Sequence, residues 1–246
     1  MRDLFRRLAA LVGQSCALLV RDPGGSLSLG VVLLLLWQYY GYPMTYRLWL
    51  DDLIGPWRYR AIASSLYWFG TNVVMLFCTP LLVARLVWRR SARELGLGLG
   101  DWRLGLAATG VIYAVMLPLV ILVAPWADFR ATYPLDPCAL GSHEFFWVYE
   151  VGYAGFFVGW EFFFRGFLLF SLEPSLGPVA VVVQMVPFAL LHVGKPIAET
   201  LGSVAAGIFL GVLAWRTRSI WYGVAIHAAV ALTMDIVVYL RWGLSG

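Results

Sequence analysis

The sequence predicts an all-α fold, a polytopic bundle of about seven or eight transmembrane helices. Of its 246 residues, 61% are hydrophobic and only 13% are charged, against about 25% charged in a soluble domain. Apolar runs of about 18 or more residues recur along the chain. The basic residues, which leave a net charge of +4, cluster between those runs and indicate membrane topology rather than nucleic-acid binding.

One integral domain in three parts is expected. Residues 1–25 form a basic amphipathic segment that suits the membrane interface, or a weak first span. Its basic residues are Arg2, Arg6, Arg7 and Arg21. Residues 26–143 hold the N-terminal transmembrane helices and loops, and residues 144–246 hold the helices that carry the polar residues discussed below.

The N-terminal half contains three predicted spans, at about 26–40, 61–88 and 104–124. Pro80 is expected to kink the second span. The arginine-flanked, glycine-rich stretch 95–100 is too poor in helix formers to continue a helix, and we expect a cytoplasmic connector there. The loop 125–143 has balanced charge and is expected on the opposite side.

The C-terminal half contains four predicted spans, at about 145–172, 177–193, 199–215 and 220–240. Arginines at 216 and 218 place the turn between the last two spans in the cytoplasm. The three cysteines, Cys16, Cys78 and Cys138, lie far apart without metal-ligand spacing, so free thiols are expected.

Two charged residues inside the fourth span are the first functional candidates. Glu161 and Arg165 are four residues apart, which places them on one helix face. A charge at the bilayer centre costs roughly 2.5–3.5 kcal/mol, so such residues usually serve a function. The alternative is a structural ion pair that fastens two helices.

Two histidines lie in later apolar spans. His192 falls near the end of span five and His227 inside span seven, where each ring needs a polar partner. A helix–helix hydrogen bond would satisfy either ring, but two histidines with Glu161 and Arg165 in one small bundle favour a functional site. His143 is expected to be an interface residue.

These residues occur in the order of three known motifs. The chain resembles the CAAX-protease and bacteriocin-processing family of intramembrane endopeptidases, whose motifs are Glu-Glu-x-x-x-Arg, Phe-x-x-x-His and His-x-x-x-Asn. The corresponding segments here are Trp160-Glu161-Phe-Phe-Phe-Arg165, Phe188-Ala-Leu-Leu-His192 and His227-Ala-Ala-Val-Ala231. The resemblance covers about residues 144–240.

Two positions depart from the family pattern. Trp160 replaces the first glutamate, which usually activates water, and Ala231 replaces the polar residue of the third motif. Glu161 is one residue away from the first position. Glu150 is the nearest further carboxyl group on that face, but about 16 Å of helix separates it from Glu161.

The resemblance implies hydrolysis of a peptide bond near a membrane-embedded or lipidated substrate end. Glu161 is expected to be the general base, and Arg165 is expected to hold it in place. His192 is expected to share the attacking water. His227 is expected to donate a hydrogen bond to the oxyanion, with Thr233, water or backbone in place of the missing asparagine. Candidate substrate-binding residues are Trp160, Phe188, Lys195, Glu199 and Asp235.

No cofactor is expected, although Glu161, His192 and His227 could alternatively bind Zn²⁺. The implied partners are membrane lipids and a membrane-associated or lipidated protein or peptide, not nucleic acid. The implied location is a bacterial plasma membrane. Two other functions remain open: a non-catalytic member such as a bacteriocin-immunity or scaffold protein, and a transporter that uses the buried charges as a proton relay.

Overall fold

The computed structural model describes residues 2–20 and 23–243, and across these residues the chain is helical without a β-strand. The predicted all-α class is confirmed. Met1, residues 21–22 and residues 244–246 lie outside the described residues. The place of Arg21 in the basic N-terminal segment therefore stays a prediction.

The helices follow one another with short connections. In the N-terminal half they are α1 (Arg2–Val20), α2 (Gly24–Tyr40), α3 (Pro43–Trp49), α4 (Asp51–Ile54), α5 (Ala63–Asn72), a π-helical segment (Val73–Cys78), α6 (Thr79–Leu86) and α7 (Trp102–Val123). In the C-terminal half they are α8 (Ala127–Thr132), α9 (His143–Glu161), a second π-helical segment (Phe162–Leu169), α10 (Phe170–Leu176), α11 (Val179–Leu190), α12 (Ile197–Thr217) and α13 (Trp221–Trp242). Single 3₁₀ turns at Arg60–Ile62 and Pro137–Gly141 complete the set.

The predicted number of spans is wrong. Five helices in the described part of the chain are long and apolar enough to cross a membrane: Arg60–Leu86, Trp102–Val123, His143–Leu176, Ile197–Thr217 and Trp221–Trp242. A sixth span results if α2 and α3, bent by 50°, cross together. The predicted span at 177–193 contains only the 12-residue α11, about 18 Å long, which is too short for a hydrocarbon core of about 30 Å.

The longest span, His143–Leu176, lies at the centre of the bundle. It is continuous through α9, the second π-helical segment and α10. The Ser142 hydroxyl caps its start by accepting a hydrogen bond from the Phe145 N–H at 3.0 Å. All eight residues of Phe162–Leu169 are buried. This helix therefore forms the inner wall against which the other spans pack.

The expected kink near Pro80 takes the form of the first π-helical segment, which ends two residues before the proline. Proline has no N–H to donate to the preceding turn, and the wider helix accommodates that loss. This segment packs against α9.

The glycine-rich connector 95–100 is bound to the turn between α12 and α13. Asp101 N–H donates to the Thr217 carbonyl at 2.9 Å, and Ile220 N–H donates to the Gly96 carbonyl at 3.0 Å. Gly100 has φ +52°, and a Cβ there would lie 1.7 Å from the Thr217 oxygen, so this close contact requires glycine. The connector thereby fixes where α13 begins, and α13 carries His227.

Candidate active site

A buried carboxylate, Glu161, joins two of the predicted functional residues. Its Oε1 accepts a hydrogen bond from Arg165 Nη1 at 3.1 Å and another from His227 Nδ1 at 2.8 Å. The Glu161 and Arg165 side chains are fully buried. A charged pair inside a membrane is tolerated only when it is neutralised in this way.

Gly223 allows α13 to approach this carboxylate. A Cβ at that position would lie 2.7 Å from Glu161 Oε2. Since Gly223 precedes His227 by four residues, both face Glu161 from one side of α13. The second carboxylate oxygen has no hydrogen-bond partner among residues 2–20 and 23–243.

The helix changes its geometry directly after Glu161. The second π-helical segment starts at Phe162 and includes Arg165. Such segments are rare and are frequent at functional sites. The ion pair thus spans the boundary between an α-helical and a π-helical stretch of the central helix.

The hydrogen bond to Glu161 sets the tautomer of His227. A carboxylate only accepts, so Nδ1 carries the hydrogen and donates it. In the neutral ring, Nε2 then has a free lone pair. Phe157 packs on the same imidazole with a centroid distance of 4.4 Å. A carboxylate behind an imidazole is the arrangement that prepares histidine to act as a base.

His192 is oriented by the backbone instead. Its Nδ1 lies 2.8 Å from the Phe188 carbonyl, which only accepts, so Nε2 is again left with a lone pair. The ring is 6% exposed. No hydrogen bond joins His192 to Glu161 or Arg165 among the described residues.

Phe188 links the two histidines. Its ring centroid lies 4.7 Å from that of His192 and 6.0 Å from that of His227. The Arg165 guanidinium carbon lies 4.1 Å from the same centroid, within the range of a cation–π contact. The four predicted catalytic residues are therefore neighbours, three through hydrogen bonds and His192 through Phe188.

An aromatic cluster occupies the surroundings of Trp160, the position where the family motif has its first glutamate. The indole is 6% exposed and packs on Trp37 and Phe164 with centroid distances of 5.8 and 5.0 Å. It also lies 6.2 Å from His192. Its N–H has no acceptor among the described residues, so it is a hydrogen-bond donor without a partner beside His192.

Neither Ala231, at the position of the missing asparagine of motif three, nor Thr233, one of its expected substitutes, bonds to Glu161 in the described chain. Ala231 is buried in the main apolar core. The Thr233 hydroxyl pairs with the Tyr113 hydroxyl at 2.8 Å and donates to the Ala229 carbonyl at 2.7 Å. Thr233 is therefore directed toward α7.

Lys195 and Glu199, two of the predicted substrate-binding residues, bond to each other and to a third residue. Lys195 Nζ donates to Glu199 Oε1 at 2.9 Å and to the Tyr133 hydroxyl at 3.0 Å. Tyr133 donates in turn to Glu199 at 2.6 Å. Burial and the nearby Glu199 carboxylate hold the pKa of the Tyr133 phenol well above its usual value. Sequence reasoning missed Tyr133, which carries no motif; its place beside Pro134 in a loop was the one available signal.

Asp235 lies in another part of the α9–α13 interface. It is fully buried and faces Glu150 of α9, one helical turn from the stacked rings of Phe146 and Tyr239, and none of the described hydrogen bonds joins it to His227. His143, expected at the membrane interface, pairs through Nδ1 with the Tyr239 hydroxyl at the end of α13. The described residues contain no group of three His, Cys, Asp or Glu side chains placed to hold a metal ion, and the alternative Zn²⁺ set of Glu161, His192 and His227 forms no such group.

Comparison with known proteins identifies the region that contains this site. Residues 143–233 match the family model described as type II CAAX prenyl endopeptidase Rce1-like. These residues, fewer than half of the chain, are similar to an Rce1-like domain. The matched region begins at the start of α9, includes all three motif segments and ends before Asp235. A search of curated proteins and a search of solved structures gave no match.

The Rce1-like match confirms the family resemblance of the three motifs. The family that this region resembles is one of CAAX prenyl endopeptidases. The apolar helices agree with an integral, multi-pass membrane protein. The division of the chain at residues 25 and 143 stays a prediction.

Proposed function

We propose that this protein is an intramembrane endopeptidase of a bacterial plasma membrane, which hydrolyses a peptide bond near the membrane-embedded or lipidated end of its substrate. The observation that carries the proposal is the buried hydrogen bond from His227 Nδ1 to Glu161 Oε1 at 2.8 Å. It holds an imidazole with a free Nε2 inside an Rce1-like domain.

In the proposed mechanism, Glu161 acts through His227. Nε2 of His227 removes a proton from water as the water oxygen attacks the substrate carbonyl carbon, and the carbonyl electrons move onto the oxygen. The Glu161 carboxylate stabilises the imidazolium that forms. The imidazolium then returns the proton to the leaving nitrogen as the C–N bond breaks, which yields a carboxyl group and an amine.

The neighbouring residues have supporting roles in this mechanism. Arg165 keeps Glu161 ionised and in place. Nε2 of His192 accepts a hydrogen bond from the attacking water. The unpartnered indole N–H of Trp160 donates to the substrate carbonyl, where negative charge develops. No step requires a metal, so the expected absence of a cofactor stays part of the proposal.

Two variants test the proposal. His227→Gln removes the base, and Glu161→Gln removes the carboxylate behind it; each is expected to lower cleavage of a lipidated peptide in proteoliposomes by about 10²–10⁴. His143→Gln is the matched control, because His143 pairs with Tyr239 outside the cluster. A folded His227→Gln protein that cleaves at the wild-type rate would refute the role of this histidine.

A non-catalytic scaffold or immunity function is the second candidate. The packing of Trp160 against Trp37, Phe164 and His192 favours it, because an apolar cluster fills the position of the usual glutamate. Failure of the wild-type protein to cleave lipidated and unlipidated tails alike would support this function over the protease.

A further inference from the structure

Two acidic side chains lie deep in the bundle and have no part in the proposed mechanism. Glu150 on α9 is 5% exposed, and Asp235 on α13 is fully buried. Eleven residues separate Glu150 from Glu161, and eight separate Asp235 from His227, about 16 and 12 Å of helix respectively. The two acids therefore form a site of their own, too far from the histidines for direct proton transfer.

The two carboxyl groups face each other across the interface, because Glu150 lies one helical turn after Phe146 and Asp235 one turn before Tyr239, and the rings of Phe146 and Tyr239 stack with centroids 4.1 Å apart. Neither Asp235 oxygen, nor Glu150 Oε1, has an N–H or hydroxyl partner among residues 2–20 and 23–243. The hydroxyl of Tyr149, on the same helix, is likewise buried and unpartnered. Buried polar atoms without partners mark the position of a bound ligand or ordered water.

The chemistry of the pair identifies that ligand. Two ionised carboxylates only accept hydrogen bonds, so a hydrogen bond between them requires a proton on one. Two bare charges side by side would also repel each other in an apolar environment. No arginine bonds to either acid in the described chain, in contrast to Glu161.

We propose that Glu150 and Asp235 form an acid pair that binds one proton, together with ordered water, between α9 and α13. This site goes beyond the proposed endopeptidase function and does not depend on it. It is the same arrangement by which two neighbouring carboxyl groups share a proton in other proteins.

The hydrogen-bonded cluster of Tyr133, Lys195 and Glu199 lies near the pair. Lys195 and Glu199 lie close enough to Asp235 to interact with it electrostatically. Tyr133, which bonds to both of them, also lines a cavity of about 310 Å³ together with Val238 of α13.

The groups that face the pair come from each element packed around it. They are Tyr149 and Tyr153 of α9, Tyr133 beyond α8, Lys195 before α12 and Glu199 in its first turn. Lys195 is the only cation in this set, and Glu199 already pairs with it. Loss of the shared proton would thus leave two negative charges with no cation of their own.

The decisive measurement is infrared spectroscopy of the full-length protein in lipid. The wild type is expected to show the carbonyl stretch of a protonated carboxyl group at neutral pH, and Glu150→Gln/Asp235→Asn is expected to lose it. Glu144→Gln is the matched control on α9, because Glu144 is ion-paired with Arg58 at the surface. A wild type without the band, or a double variant that retains it, would overturn the proposal.

The single variants provide a second measurement should the double variant not fold. Raising the pH removes the shared proton, so the melting temperature of the wild type is expected to fall as pH rises. Glu150→Gln and Asp235→Asn each replace one acid by a neutral amide that can still donate, and each is expected to weaken this pH dependence. An unchanged pH profile in both would contradict the acid pair, and neither readout depends on peptide cleavage.

Discussion

Gly223→Ala tests whether the close approach of α13 holds Glu161 in its working position. The added Cβ would lie 2.7 Å from Glu161 Oε2 and 3.4 Å from its Cδ, so the carboxylate must move. Alanine itself is accepted in a helix, and favours it by up to about 1 kcal/mol over glycine. The substitution therefore acts on the carboxylate rather than on the helix.

The expected magnitude follows from the bond that is displaced. A hydrogen bond to a charged group is worth about 1.5–3 kcal/mol, so disturbing the contact between Glu161 and His227 should lower the cleavage rate about 10- to 150-fold. Cleavage of a lipidated fluorogenic peptide in proteoliposomes measures this loss. The melting temperature should fall by only a few degrees, because the helix preference of alanine offsets part of the stability lost with this bond.

Gly155→Ala on α9 is the matched control, because no atom lies within 4 Å of the Cβ it adds. This control should keep full activity. If Gly223→Ala also cleaves at the wild-type rate, the close approach of α13 does not hold Glu161 in its working position. If both variants lose activity equally, the loss comes from the helix and not from the site.

Three further predictions use the same assays. Trp160→Glu should reduce cleavage, because it removes a packed indole and buries another charge beside His192; a rise in activity would instead indicate an enzyme that lost its glutamate. Gly100→Ala should lower the melting temperature markedly, since it combines a φ of +52° with a contact of 1.7 Å to the Thr217 carbonyl; an unaltered melting temperature would refute the proposed close contact. A chelator should leave cleavage unchanged, and about one Zn per chain by elemental analysis would refute the metal-free mechanism.

Local rules predicted the features that depend on one helix alone. The pairing of Glu161 with Arg165 follows from their spacing of four residues, and the structure shows that hydrogen bond. Composition was enough for the all-α class. It was not enough for the span count, because hydropathy cannot distinguish a short apolar helix such as α11 from a membrane crossing.

Features that depend on the register between helices could not be predicted. Glu161 meets His227, and Glu150 meets Asp235, because α9 and α13 pack antiparallel at one particular offset. The spacing between Asp235 and His227 predicted which helix face Asp235 occupies, but it could not predict that Glu150 lies opposite. No sequence pattern predicted the π-helical segment that follows Glu161.

The glycine-rich connector 95–100 is bound to the start of α13 and fixes that end of the helix. The helix end at Trp221 is fixed by the bonds of Ile220 and Asp101, whereas the far end is held separately, by His143 on Tyr239 and by Arg130 over the Trp242 ring. His227 lies about 9 Å and Asp235 about 21 Å from Trp221 along the axis. A tilt about the end at Trp221 would therefore displace His227 by less than half as much as Asp235.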